Sequence, residues 1–260
     1  MSSLATTTTT DTCPPIVVVS DEEWVAARLE LLESEKALSK AQASLAAKRR
    51  QLPWREIPDY DLVGASGPTK LSSLFGPSSQ LLVYHMMMGK GSTQGCSLCS
   101  FFIDEFSSSH LYPRASFAVV AKAEFSNISS FVATKRGWDV GRFFSASAST
   151  FSENFGVSFT EEQMKSGDTT YNYNRKWQWG SEAPGISVFV KRPTEGEDGG
   201  GSSKIFHTYS TFSAGLGGLS SVLQLIDLTP EGRAEKEGGR NMFWVKHKEE
   251  YEAPTAKKKE

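Results

Sequence analysis

Two uninterrupted apolar runs, LLVYHMMM at 81–88 and SFAVVAKA at 116–123, leave this chain few architectures to choose from. Runs this short and this continuous suit strands buried on both faces, and they are too brief for a helix of ordinary length. Between them lies an apolar helical stretch from about Cys96 to Phe106. After the second run, ISSFVATKRGW (128–138) reads as another helix with Gly137 near its end, and Phe143–Ser145 begins a further strand. Strand, helix, strand, helix in this order requires a parallel α/β core, because parallel neighbours need a crossover connection.

The flanks elaborate that core. Tyr60–Val63 reads as a strand with GASGP as its turn, and LSSLFG (71–76) as a helical turn closed by glycine. GISVFVKR (185–192) and SKIFHTYST (203–211) read as an antiparallel hairpin whose joiner, TEGEDGGGS, is polar and glycine-rich. Leu219–Leu228 reads as a last helix, preceded by a GLGG turn that lacks the spacing and the lysine of a phosphate loop. Between the two halves, Phe151–Gly180 forms a polar-aromatic insertion dense in Tyr171, Tyr173, Trp177 and Trp179. These rings suit packing over the core, or alternatively the wall of a cleft.

The N-terminal part is different in kind. Residues 1–19 are Thr-rich, then Pro-containing, and read as a disordered tail that includes Cys13, to which no role is given. Ser20 opens a capping box with Glu23 three residues on, and Pro53 stops the helix that follows. Trp24, Ala27, Leu31, Ser34, Leu38, Ala41 and Leu45 recur at alternating spacings of three and four, so one narrow stripe runs down one face. Such a stripe either docks on its own domain or pairs with a second copy, giving a homodimer through the 24–45 helix. The expected organisation is a tail at 1–19, a helical extension at 20–52, the main domain at 53–233 and a charged tail at 234–260 that carries Lys257, Lys258 and Lys259.

Composition narrows the function classes. With 28 basic against 30 acidic residues, no basic face for nucleic acid is implied. No apolar run has the length of a membrane helix, and the N-terminus lacks the basic and apolar regions of a secretory signal. Three cysteines do not make a disulfide scaffold, so a reducing cytoplasm is the expected setting.

In that setting STQGCSLCSFF (92–102) carries the chemistry. A C-x-x-C pair serves as a redox centre, as half of a zinc site or as packing. Zinc needs two more ligands, and beyond His85 and His110 no second paired motif supplies them, so no metal or other cofactor is expected. Packing alone does not account for two cysteines at a strand-to-helix loop behind a glycine. The redox reading is preferred: Cys96 at the helix N-terminus, where backbone N–H groups favour a thiolate, and Cys99 one turn inside, on the same face. Cys96 would attack a disulfide and Cys99 would resolve it.

The stretches SDEEWVAARLELLESEKAL, LPW, LSSLFG, QLLVYHMM, GCSLCSFF, FGVSFT, YNYNR, PGISVF, FHTYST and DLTPEGR, running from Ser20 to Arg233, resemble a thioredoxin-like family catalogued as a domain of unknown function, number eight-nine-nine, a relative of the AhpC/TSA peroxiredoxin-like proteins. The resemblance implies a thioredoxin-like three-layer α/β fold: a mixed sheet flanked by helices, with the long N-terminal helix and the insertion added. It also implies that Cys96 and Cys99 occupy the active-site position, and that Pro184-Gly185, before the strand ISVFV, stands where such folds place a substrate-binding cis-proline; an ordinary trans proline at a strand entry is the alternative reading. Two departures stand out. Gly95 replaces the tryptophan that usually precedes such a pair, and Ser97-Leu98 replaces Gly-Pro between the cysteines. Of the peroxiredoxin pattern, Thr93 is present three residues before Cys96, but Gly89 stands where proline belongs, and Arg114, Arg136, Arg142 and Arg175 offer no assignable activator.

The expected activity is therefore thiol–disulfide exchange with a protein or small-molecule disulfide and an external electron donor. A thiol peroxidase and a non-enzymatic binding module are the alternatives. His207, in FHTYST, could shuttle protons if the hairpin lies close, or serve as a hydrogen-bonded structural histidine. Met86, Met87 and Met88 read as gap-filling core rather than as a copper site.

Overall fold

A computed structural model describes residues 16–106, 110–194, 202–235 and 242–251. Cys13, most of the Thr-rich tail, the tip of the hairpin joiner and the terminal lysines lie outside the described residues. The chain divides into two compact units: residues up to Leu52 together with Val222–Phe243, and Pro53–Ser221 together with the chain from Trp244 onward.

In the first unit, helix α1 runs Asp21–Arg50. Its capping box is formed: the Glu23 N–H donates to Ser20 Oγ at 3.2 Å and the Ser20 N–H to Glu23 Oε2 at 2.9 Å. No residue of α1 is buried. The 222–243 part is held by a forked pair, with Arg233 Nε and Nη2 donating to the two Asp227 oxygens.

The second unit is built on one mixed sheet. Its strands are β1 (Arg55–Ile57), β2 (Asp61–Gly64), β3 (Gly67–Lys70), β4 (Gln80–Met86), β5 (Ser116–Ala121), β6 (Phe143–Ser145), and, beyond a separate small ribbon of β7 (Thr170–Tyr171) with β8 (Arg175–Lys176), the hairpin β9 (Gly185–Thr194) and β10 (Ser202–Phe212). Among the described residues the sheet order is β1-β10-β9-β4-β5-β6-β2-β3. β4 is parallel to β5, and β5 to β6; β9 runs antiparallel to β4 and pairs antiparallel with β10. The fold class is α/β, as the apolar runs require. The stretch read as a GASGP turn contributes a strand of its own, β3.

The helices are α2 (Ser97–Phe106), α3 (Phe125–Val132), α4 (Phe151–Asn154), α5 (Glu161–Ser166), α6 (Ala214–Gly217) and α7 (Ser221–Ile226), the last lying, but for Ser221, in the first unit. α3 is shorter than the 128–138 expectation at its C-terminal end. Thr134 donates both its N–H and its hydroxyl to the Phe131 carbonyl, and that competition ends the helix before Gly137. α2 crosses from β4 to β5, burying Cys99, Ser100, Phe102 and Ile103. On the other face Phe75, Leu81, Phe151 and Phe189 pack with scarcely any exposure. The 244–251 stretch, read as part of a charged tail, belongs to this second unit, where Val245 is buried. No described helix is long and apolar enough to cross a membrane.

Gly185 pairs with His85 across β9 and β4, and the ring of Phe212 lies directly over it. A Cβ there would stand 2.6 Å from Phe212 Cδ1. Gly185→Ala is expected to destabilise the protein by about 1–3 kcal/mol through this overpacking. Urea unfolding checks it: the midpoint falls with the slope unchanged, and an unmoved midpoint refutes the close packing.

Candidate functional site

β4 ends at Met86, and the next residue positions both cysteines. The Met87 N–H donates to Cys99 Sγ at 3.4 Å, while the Met87 carbonyl accepts from the Cys96 N–H at 3.2 Å. The loop between is tied down by Ala123 N–H to the Met88 carbonyl (2.8 Å) and Gly91 N–H to Glu124 Oε2 (3.0 Å). Gly95 is needed for this seat. It is buried, and a Cβ on it would come within 2.7 Å of Phe131 Cε1. The bulky residue that usually precedes a redox cysteine pair has no room here.

The Cys96 carbonyl accepts the Ser100 N–H at 3.0 Å, so Cys96 is the N-cap of α2 and Ser97 its first helical residue. Cys96 is half-buried; Cys99 is 1% exposed. The two thiols interact, and no disulfide joins them. Burial pushes the Cys99 thiol well above its usual range. The hydrogen bond and charge of Cys96 raise it further, and the Tyr84 hydroxyl and the Met87 N–H pull it partly back. Tyr84 is wholly buried beside that sulfur, and its hydroxyl makes no hydrogen bond of good geometry. Burial and then Cys99 push the Tyr84 phenol up as well.

Pro184 and Gly185 reach the same neighbourhood through Tyr171. The Tyr171 hydroxyl donates to the Pro184 carbonyl at 2.5 Å and accepts the Ser213 N–H at 2.9 Å. Burial pushes the Tyr171 phenol up from its usual range, and Cys99 adds to the rise. The second hydrogen bond holds Ser213 at φ +48°, a left-handed conformation rare for a side-chain-bearing residue. The Ala183–Pro184 peptide is trans, the ordinary strand-entry form of the two that the sequence left open. Of the insertion's rings, Tyr171 and Trp177 are core, whereas Tyr173 and Trp179 are about seven-tenths exposed.

The 244–251 segment covers the first turn of α2. Ser97 Oγ donates to the Val245 carbonyl, His247 Nδ1 lies 3.2 Å from Ser100 Oγ, and that hydroxyl donates to the Cys96 carbonyl. Sequence reasoning missed this segment, because its charge pattern carries no sign of what it covers. It also missed Tyr84, which reads as one more apolar strand residue.

His207 is not brought to the cysteines. Strand alternation sends Tyr84 toward α2 and His85 to the opposite face, and His207 belongs to His85. His85 Nε2, Ser187 Oγ, Ser210 Oγ and His207 Nε2 form a chain at 2.8, 2.7 and 2.7 Å. Three links and two hydroxyl protons require that a single imidazole donate through Nε2. His85 is that donor: its Nδ1 has no partner, and a bare lone pair there costs less than a stranded N–H. Burial lowers His85 to about 3 and His207 to about 4, so both stay neutral. Among the described residues no group of three or more His, Cys, Asp or Glu side chains is arranged to hold a metal ion.

The loops that follow the parallel strands gather a further charged group. Lys122, after β5, bonds the Ser149 carbonyl and pairs with Glu153 at 2.5 Å. Glu182 accepts from Ser158 Oγ at 2.9 Å and lies against Gly89 of the cysteine loop. Burial raises Glu182 from 4.5 to about 7, with Ser158, Ser181 and Lys122 opposing and Glu153 reinforcing. Because the folded acid holds its proton more tightly than the unfolded one, Glu182 contributes stability that is full below pH 4.5 and lost as pH rises to about 7. Glu182→Gln abolishes that dependence. In urea unfolding the variant should gain on the native protein by on the order of 2–3 kcal/mol between pH 4.5 and 8; parallel stability curves would contradict the assignment.

No curated protein and no solved structure matches the chain. The family described as "Bacterial protein of unknown function (DUF899)" matches residues 14–251, nearly the whole length, and the chain belongs to that family.

Proposed function

We propose that the protein is a thiol–disulfide oxidoreductase of thioredoxin-like fold, with Cys96 as nucleophile and Cys99 as resolving thiol. The observation that carries the reading is the pair's asymmetry: a half-buried cysteine at the N-cap of a ten-residue helix, its N–H on the Met87 carbonyl, and a buried cysteine a turn deeper, its sulfur accepting the Met87 N–H. The β10-β9-β4-β5 order supports the fold assignment, with the cysteine helix leaving the C-terminal end of β4 and crossing to its parallel neighbour. The AhpC/TSA relationship stays part of the proposal.

The Cys96 thiolate, favoured by the first-turn N–H groups of α2, attacks a substrate disulfide. One substrate sulfur becomes bonded to Cys96 and the other leaves as a thiol, taking a proton from solvent. Cys99 then loses its proton and attacks the Cys96 sulfur. The second substrate thiol departs, and the Cys96–Cys99 bridge holds the two-electron oxidation. The order of steps is built into the surroundings of Cys99. While Cys96 is free, its sulfur raises the Cys99 thiol; once Cys96 is in a mixed disulfide that effect vanishes, and the Tyr84 hydroxyl and Met87 N–H favour ionisation. Pro184 and Gly185 border the substrate, their backbone held by the Tyr171 hydroxyl and by the sheet pairing of Gly185, and an external dithiol donor restores the pair in a reducing cytoplasm. Thiol exchange is preferred to peroxidase chemistry because, of the peroxiredoxin pattern, only Thr93 stands before Cys96 and Gly89 occupies the proline position.

Brief alkylation at neutral pH, read by mass spectrometry, should label Cys96 ahead of Cys99 and faster than free cysteine. Cys99→Ser should then accumulate a mixed disulfide with a model disulfide substrate, and Cys96→Ser should not. Equal labelling of the two, or no trapped adduct with Cys99→Ser, would sink the exchange reading.

A further inference from the structure

The stripe on α1 remains open. Trp24, Leu31, Leu38 and Leu45 are 48–59% exposed, and Ala27, Ser34 and Ala41 between them are exposed as well. The half-buried residues of α1 are Arg28, Leu32, Ala46 and Ala47. At about 100° per residue they lie roughly a third of a turn from the centre of the stripe. The cover that α1 does receive therefore falls on another face.

Two further regularities say what would cover the stripe. Its seven positions keep a strict heptad spacing over more than three heptads, the pattern of a coiled-coil seam. Its charges are also divided end to end. Residues 21–35 hold six acidic side chains and one arginine, whereas residues 36–50 hold five basic side chains and no acid. Each half complements the other half of the same helix reversed. A parallel pair would set acid against acid, leucine against leucine and Ser34 against itself.

We propose that α1 forms an antiparallel two-helix coiled coil with α1 of a second copy of this chain. The proposal stands apart from the redox reading. In the register that centres the two-fold axis on residue 36, Leu31 packs over Ala41 of the other copy, Leu45 over Ala27 and Leu38 over Ser34. Every large residue then meets a small one, which lets the helices approach closely, and the Trp24 ring meets the aliphatic stem and ammonium of Lys48. Beside the seam Asp21 of each helix faces Arg49 of its neighbour, and the two helix dipoles oppose.

Sedimentation of the full chain tests this, with circular dichroism as the check on helix content. The native protein should sediment with the mass of two chains, and Leu31→Glu with Leu38→Glu should halve that mass. Asp21→Arg should weaken the dimer, as should Arg49→Asp, and mixing the two charge variants should restore the native two-chain population. A monomeric native protein, or a dimer indifferent to Leu31→Glu with Leu38→Glu, overturns the proposal. If either charge variant alone associates as well as or better than the native chain, the helices are parallel and the antiparallel arrangement is excluded. Alkylation of Cys96 should keep the native rate in every variant, which separates loss of this interface from failure of the thiol chemistry.

Discussion

Met87 leaves the central strand with its N–H aimed at one sulfur and its carbonyl held by the backbone of the residue bearing the other. That one residue fixes where the α2 helix begins, how deep Cys99 sits and how far Cys96 stays in reach of solvent. The loop can return to Met87 only because Gly95 carries no side chain to strike Phe131. The interaction is also electrostatic. A thiol in a wholly buried position resists ionisation, and a backbone N–H directed at its sulfur is among the few neighbours that ease it. Strand, glycine and helix start are thus one device rather than three.

The same strand separates two polar systems by simple alternation. Tyr84 turns to the cysteines, and His85 turns to Ser187, Ser210 and His207. Both are buried, yet they cost the fold differently. The histidine–serine chain satisfies every internal link while neutral, so it cross-braces β4, β9 and β10 at little electrostatic cost. The Tyr84 and Cys99 pair is left with weak geometry and with ionisation suppressed on both partners. A fold tolerates that kind of buried strain most readily where the groups are used.

Periodicity made the central strands, the hairpin, the helix carrying Cys99 and the Ser20 capping box legible, because each rests on neighbours in sequence. The sequence did not disclose what depends on register across the sheet. Tyr171 lies 72 residues from Cys99, and only the Pro184 and Ser213 hydrogen bonds bring it there. His207 looked eligible for proton transfer by residue type, and the side of the strand on which it falls decides otherwise. The trans peptide before Pro184 was beyond reach for the same reason: local sequence lowers the cost of the cis form without selecting it. Glu182 is a surface residue by composition, and only burial beside Gly89 makes it an acid that titrates near neutrality.

The α1 helix reverses this relation between sequence and structure. Its cap, heptads and charge division are all written locally, and the described residues leave the seam they define uncovered. Helical propensity alone holds such a segment only marginally in water, since most helix stability in proteins comes from packing an apolar face. A helix of thirty residues with its apolar stripe in solvent is therefore incomplete as an energetic unit. The alternation of leucine with alanine or serine points to what completes it: reversed against a second copy, each knob meets a space, and Asp21 at one end meets Arg49 at the other.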